Sequence, residues 1–138
     1  MIIAWDIENI NFHVGIEKLK KVKIEGQVRK FFVHNKKNMP LKVNNFNYLI
    51  NQKWTFYPVD NKPDAADKKI QRLLKKEMKS HNKIILLTQD HGFSHVIIHM
   101  LFNNKKVLLI TDNKADKLIR RIEKDIKETK LLKNLEII

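Results

Sequence analysis

The first nine residues, "MIIAWDIEN" (Met1–Asn9), decide the fold. An apolar run ends abruptly at Asp6, and Glu8 and Asn9 follow within three positions. A strand that is apolar on both faces belongs inside a parallel sheet covered by helices on both sides. The form recurs at "KIILLTQD" (83–90) and "KKVLLITD" (105–112). In open α/β sheets, ligands bind beyond the carboxyl ends of the strands. Asp6, Asp90 and Asp112 therefore fall where a site is expected.

Between these runs the apolar period changes to that of helices. Phe12, Ile16 and Leu19 give a helix over about 11–22. Pro63 opens the clearest helix, which runs to about Lys79 with Ala66, Ile70, Leu73, Leu74 and Met78 on one face. Residues 41–49 read as a weak helix and 92–102 as an apolar one. The charged stretch 114–132 reads as a helix with Leu118, Ile119, Ile122 and Ile126 inward. "QVRKFFVHN" (27–35) and "KWTFYPV" (53–59) complete the strands, and "LKNLEII" (132–138) is either one more short strand or a packed end. The Asn- and Lys-rich stretch 34–47 is the expected place for an irregular insertion. The expected architecture is an α/β three-layer sandwich, one domain over 1–138, around a mainly parallel sheet of about five strands.

The chain has 138 residues, no cysteine, and 28 basic against 15 acidic side chains, a net charge of +13. Disulfides and thiolate metal sites are excluded. No basic leader precedes the first apolar run, and no run reaches a membrane span. A cytoplasmic protein that does not enter membranes is expected. The charge favours a polyanionic partner.

Asp67 stands in the first turn of its helix, in line with Ile70, Leu74 and Met78, so it points toward the sheet. Burying an acid there is costly unless something satisfies it. Asp64 lies one turn earlier, where it either caps the helix or joins the site. Converging carboxylates suit a hard cation, Mg²⁺ or Mn²⁺, with Asp6, Asp67, Asp90 and Asp112 as ligands. Thr88 lines the site, and Asn9 either lines it too or caps the first helix. Gly92 is expected to permit either an unusual turn or a close backbone approach at the helix start. Lys62, Lys68 and His91 stand near enough to meet substrate, with Asp64 beside them. Further basic candidates are Lys69, Lys114, Arg29, Lys30, Lys36 and Lys37. Trp5 reads as core, as do at least two of Trp54, Phe56 and Tyr57. On the last helix Asp116 with Arg120, and Glu123 with Lys127, are i,i+4 partners on a mixed, solvated face that is not assigned to RNA.

The pieces "WDIENIN" (5–11), "KPDAADKKI" (62–70) and "LLTQDHGFSHVI" (86–97) together resemble the PIN-like nuclease superfamily, in particular its NYN branch and related bacterial proteins. The resemblance spans about positions 2–112. It implies metal-coordinating, catalytic roles for Asp6, Asp67 and Asp90, and site-lining roles for Asn9 and Thr88. It implies a metal-dependent endoribonuclease that cuts single-stranded or structured RNA, leaving a 5′-phosphate and a 3′-hydroxyl. One departure stands out: Gly92 occupies the place of a second acid in the family's D-x-D pair. The alternative is an RNA-binding module with a degenerate, inactive PIN-like site, and basic edge strands leave room for a homodimer. A receiver-like phosphoprotein would leave Asp67 unexplained. A dinucleotide-binding enzyme lacks its glycine-rich turn after the first strand.

Overall fold

A computed structural model describes residues 1–127 and 129–138. Six strands form one sheet: β1 (Ile2–Trp5), β2 (Arg29–Asn35), β3 (Thr55–Val59), β4 (Lys83–Leu87), β5 (Lys106–Ile110) and β6 (Leu135–Ile137). Their order is β3-β2-β1-β4-β5-β6, and every neighbouring pair is parallel. The tail is thus a sixth strand. The connecting helices are α1 (Phe12–Leu19), α2 (Val43–Asn51), α3 (Ala65–Glu77), α4 (Ser94–Phe102), α5 (Asp116–Asp125) and α6 (Thr129–Leu132).

Side-chain alternation divides the core between the two faces of the sheet. Ile2, Ala4, Phe31, Val33, Ile84, Leu86, Val107 and Leu109 face one layer, where Ile70 and Leu74 of α3, Val96 and Met100 of α4, and Leu118 and Ile122 of α5 meet them. Ile3, Trp5, Phe32, Ile85, Leu87, Leu108 and Ile110 face the other, against Leu19 of α1 and Leu49 of α2. The result is the expected Rossmann-like three-layer α/β arrangement. Pro58 lies in β3, an edge strand, where a missing N–H costs no ladder bond.

Several element ends differ from the sequence reading. The stretch 34–47 is not one insertion: His34 and Asn35 finish β2, and α2 begins at Val43. A 3-10 turn, His91–Phe93, precedes α4, and another, Met78–Ser80, follows α3. The charged helix stops at Asp125 because Ile126 turns extended (φ −101, ψ 103) while its side chain stays in the core.

The direction of chain progression reverses between β1 and β4, since β2 lies on one side of β1 and β4 on the other. Such a switch point opens a crevice beyond the strand ends. Asp6 follows β1, and Thr88, Gln89 and Asp90 follow β4, so both walls of that crevice carry the residues singled out above.

Candidate functional site

Asp6 is fully buried. Its backbone N–H donates to Leu87 O at 2.9 Å, extending the β1–β4 ladder by one residue. The chain then turns back, with the N–H groups of Asn9 and Ile10 both donating to Asp6 O at 3.1 Å. That turn aims the Asn9 amide at the carboxylate. Asn9 Nδ2 donates to Asp6 Oδ2 at 2.6 Å and Thr88 Oγ1 donates to the same oxygen at 2.8 Å. Asp6 Oδ1 is buried with no partner among the described residues. Burial pushes the Asp6 carboxyl up to about 6, and the Asn9 and Thr88 bonds only partly oppose it. Asn11, not Asn9, caps α1, its side chain accepting from Val14 N–H at 2.9 Å.

Asp67 faces the same crevice from the first turn of α3. Burial, the Asp6 charge and a hydrogen bond with Asp90 push its carboxyl up to about 8. The crevice therefore favours the protonated form of Asp67, hydrogen-bonded to Asp90. Asp90 Oδ1 also accepts from Gly92 N–H at 2.9 Å and so caps the 3-10 turn. Thr88 Oγ1 closes the network by accepting from Asp90 N–H at 3.2 Å. Gly92 makes no use of glycine's freedom. Its φ is not positive, and a Cβ there would meet Asp90 at an ordinary 3.5 Å.

The expected Mg²⁺ or Mn²⁺ centre is overturned. Among the described residues no group of three or more His, Cys, Asp or Glu side chains is placed to hold a metal ion. The physical reason lies in how the acids are used. Asp6 gives one oxygen to Asn9 and Thr88, Asp90 caps a turn, and Asp67 is hydrogen-bonded to Asp90. Asp112 does not line the hollow that Asp67 and Asp90 share, and its Oδ1 accepts from Asn113 N–H at 2.9 Å in its own loop. The metal-dependent endoribonuclease, its hydrolase chemistry and its cation cofactor are corrected together, because the four acids do not form the centre they require.

The remaining predicted residues separate. Glu8, Asn9, Asp64, Asp67 and Asp90 line one hollow of about 570 Å³, with His34, Asn38 and Asn61. Asp64 sits at the N-cap of α3 in a left-handed conformation (φ 61), but its side chain makes no capping bond. Its charge instead raises Asp67 further. His91 stands 3.6 Å from Asp90 and lies outside this hollow.

Lys62 and Lys68 border a second, adjoining hollow of about 750 Å³. Three segments build it: the chain after β2, the chain after β3, and the exposed side of α3. Lys36, Lys37, Lys62, Lys68, Lys69 and Arg72 surround it, with Asp60 as the one acid in its lining. Arg72 escaped the sequence reading, although its position four residues after Lys68 on a helix was the available signal. Arg29 and Lys30 belong elsewhere. Arg29 pairs with Glu77 at 2.9 Å and with the Tyr57 hydroxyl, and Lys30 donates to Gln52 O. Both stand at the start of β2, the end opposite the crevice. Trp5 and Trp54 are buried, in edge-to-face contact with centroids 5.5 Å apart. Phe56 packs on Phe32 at 5.2 Å, so these rings serve the core.

No family model matches the chain, and no curated protein does. Among solved structures it resembles a protein of unknown function from Vibrio parahaemolyticus, with a TM-score of 0.61 at 15% identity. The match covers 99% of this chain and 91% of that one, and it shows the fold alone. Among the described residues no helix is long and apolar enough to cross a membrane.

Proposed function

We propose that the chain is an RNA-binding module whose PIN-like acid site is catalytically inactive. The observation that carries this is the cleft with Lys36, Lys37, Lys62, Lys68, Lys69 and Arg72 around it and one acid in its lining. Cations drawn from three separate segments onto one open hollow suit a phosphate backbone, which they hold without reading sequence. The amino-terminal end of α3 adds a positive dipole end to the same rim. The adjoining acid hollow offers the amides of Asn9, Asn38 and Asn61, groups able to bond base edges or 2′-hydroxyls. The net charge of +13 supports the same partner. The motif resemblance supports RNA as the polyanion.

The test is fluorescence anisotropy of a labelled 30-nucleotide single-stranded RNA, with wild type and with Lys36→Gln/Lys68→Gln. The variant should bind at least tenfold more weakly at about 100 mM salt, with the log–log salt slope reduced by roughly 0.7 for each phosphate left without its cation. The RNA should be recovered intact. Equal binding by the variant sinks the cleft reading. RNA cutting that disappears in Asp6→Asn sinks the inactive site.

A further inference from the structure

We propose that α5 carries a second phosphate-binding surface, separate from the cleft, for a further stretch of RNA backbone. The proposal rests on the chain being an RNA binder. Leu118 and Ile122 of α5, with Ile126 just after it, are buried in the core and fix the helix's rotation. On the opposite side Lys117, Arg120, Arg121 and Lys124 are all exposed. At helical spacing these four share an arc of roughly 100° and a rise of about 10 Å. The side chains of Asp116, Lys117, Arg120, Arg121 and Lys124 surround a shallow hollow of about 500 Å³.

Helical spacing alone would pair these cations with acids, and among the described residues no such pair forms. Neither Asp116–Arg120 nor Glu123–Lys127 is an ion pair among the described residues. Lys127 lies beyond the end of the helix. Asp116, Glu123 and Asp125 fall at the margins of the cationic arc rather than within it. Two arginines in the row suit phosphate, whose oxygens accept their paired N–H groups. A membrane surface suits the row poorly, because the apolar side of α5 is already committed to the core and nothing is left to insert.

Placement makes this surface distinct. The cleft is built on the ends of β2 and β3 and on α3, whereas α5 packs beside α4 and the 3-10 turn at His91–Phe93. The two hollows share no lining residue. A ligand that reaches both is an extended or folded RNA rather than a mononucleotide.

The experiment measures the salt dependence of 30-nucleotide single-stranded RNA binding for four proteins. They are wild type, Lys117→Gln/Arg121→Gln, the cleft variant Lys36→Gln/Lys68→Gln, and Lys20→Gln/Lys23→Gln. The last removes equal charge at positions whose lysines already pair with Glu17 and Glu25. Glutamine is a good helix former, and unchanged thermal midpoints will confirm folding. The α5 variant should weaken binding about tenfold at 100 mM salt and lower the slope by roughly 1.4, well beyond the charge-matched control. An α5 variant no weaker than that control overturns the proposal. So does loss of wild-type pelleting with phosphatidylserine vesicles in the α5 variant while its RNA slope is unchanged. A flat result for the cleft variant alone removes the cleft reading and leaves α5 standing; a flat result for α5 alone does the reverse.

Discussion

Asp67 and Asp6 show what a carboxylate costs when it is drawn into a sheet crevice. Each would titrate near 4 in an unfolded chain, and the fold raises them to about 8 and about 6. Between pH 4 and pH 8 these two groups therefore bind more protons in the folded protein than in the unfolded one. By linkage, their contribution to stability is full below about pH 4, is lost as pH rises through 6 and 8, and is flat above. Asp67→Asn should keep the hydrogen bond to Asp90, since an amide N–H replaces the shared proton, and should remove the charge that burial opposes. We expect thermal melts of this variant to match wild type at pH 4 and to exceed it by a few degrees at pH 9. A midpoint lowered at pH 9 would show that the Asp67 charge is stabilising and that the crevice is not what raises its carboxyl. The departure at Gly92 reads differently at this scale. Its N–H donates to Asp90, and the position has room for a side chain, so Gly92 is not what shapes the turn.

Helix α1 owes its approach to the sheet to Gly15. A Cβ at that position would stand 2.1 Å from the Trp5 ring, far inside contact distance. In most helix interiors Gly→Ala stabilises by about 1 kcal/mol. Here Gly15→Ala should destabilise by about 1–3 kcal/mol, because Trp5 is fully buried and pinned by its Nε1–H bond to Ile10 O at 2.8 Å. Chemical denaturation reads the sign, and a stabilised variant would show that Trp5 moves freely. Nothing in the sequence marks Gly15, since the clash is with a residue ten positions away. The same distinction separates what was legible from what was not. Apolar runs such as Ile84–Leu87 and the spacing of Ile70, Leu74 and Met78 report burial directly, so the parallel sheet and its covering helices can be read from the chain. The placing of Asp6, Asn9, Thr88, Asp67 and Asp90 around one crevice follows from strand ends and one helix face, and was legible too. Their chemistry was not. Whether an acid accepts a metal, a proton or a capping N–H depends on side-chain geometry across elements, as Asp90 with Gly92 and Asp112 with Asn113 show. The early end of α5 escaped for a related reason: Ile126 keeps helical spacing for its side chain while its backbone leaves the helix.

At the scale of the whole molecule, the charge of +13 is not spread evenly around the crevice. The basic cleft and the acid hollow share Asn35, Val59, Asp60, Asn61, Lys62, Pro63 and Ala65 in their linings, so they are two halves of one depression. A phosphate backbone in the basic half lies beside the carboxyls in the other half. The Asp67 carboxyl is raised to about 8, where lysine and arginine side chains ordinarily stay charged and histidine side chains have ordinarily already lost their charge. Raising the pH from about 7.5 to 9 thus adds a negative charge next to the bound strand and takes none from the cations that hold it. RNA affinity, measured by anisotropy at fixed low salt, should fall by about twofold to fivefold in a step near pH 8. Asp67→Asn should erase that step, and 0.5 M salt should flatten it as screening shortens the reach of the carboxylate. Affinity that does not change over this range would mean that RNA lies beyond the reach of the acid hollow, and would move the bound backbone outward along Lys69 and Arg72.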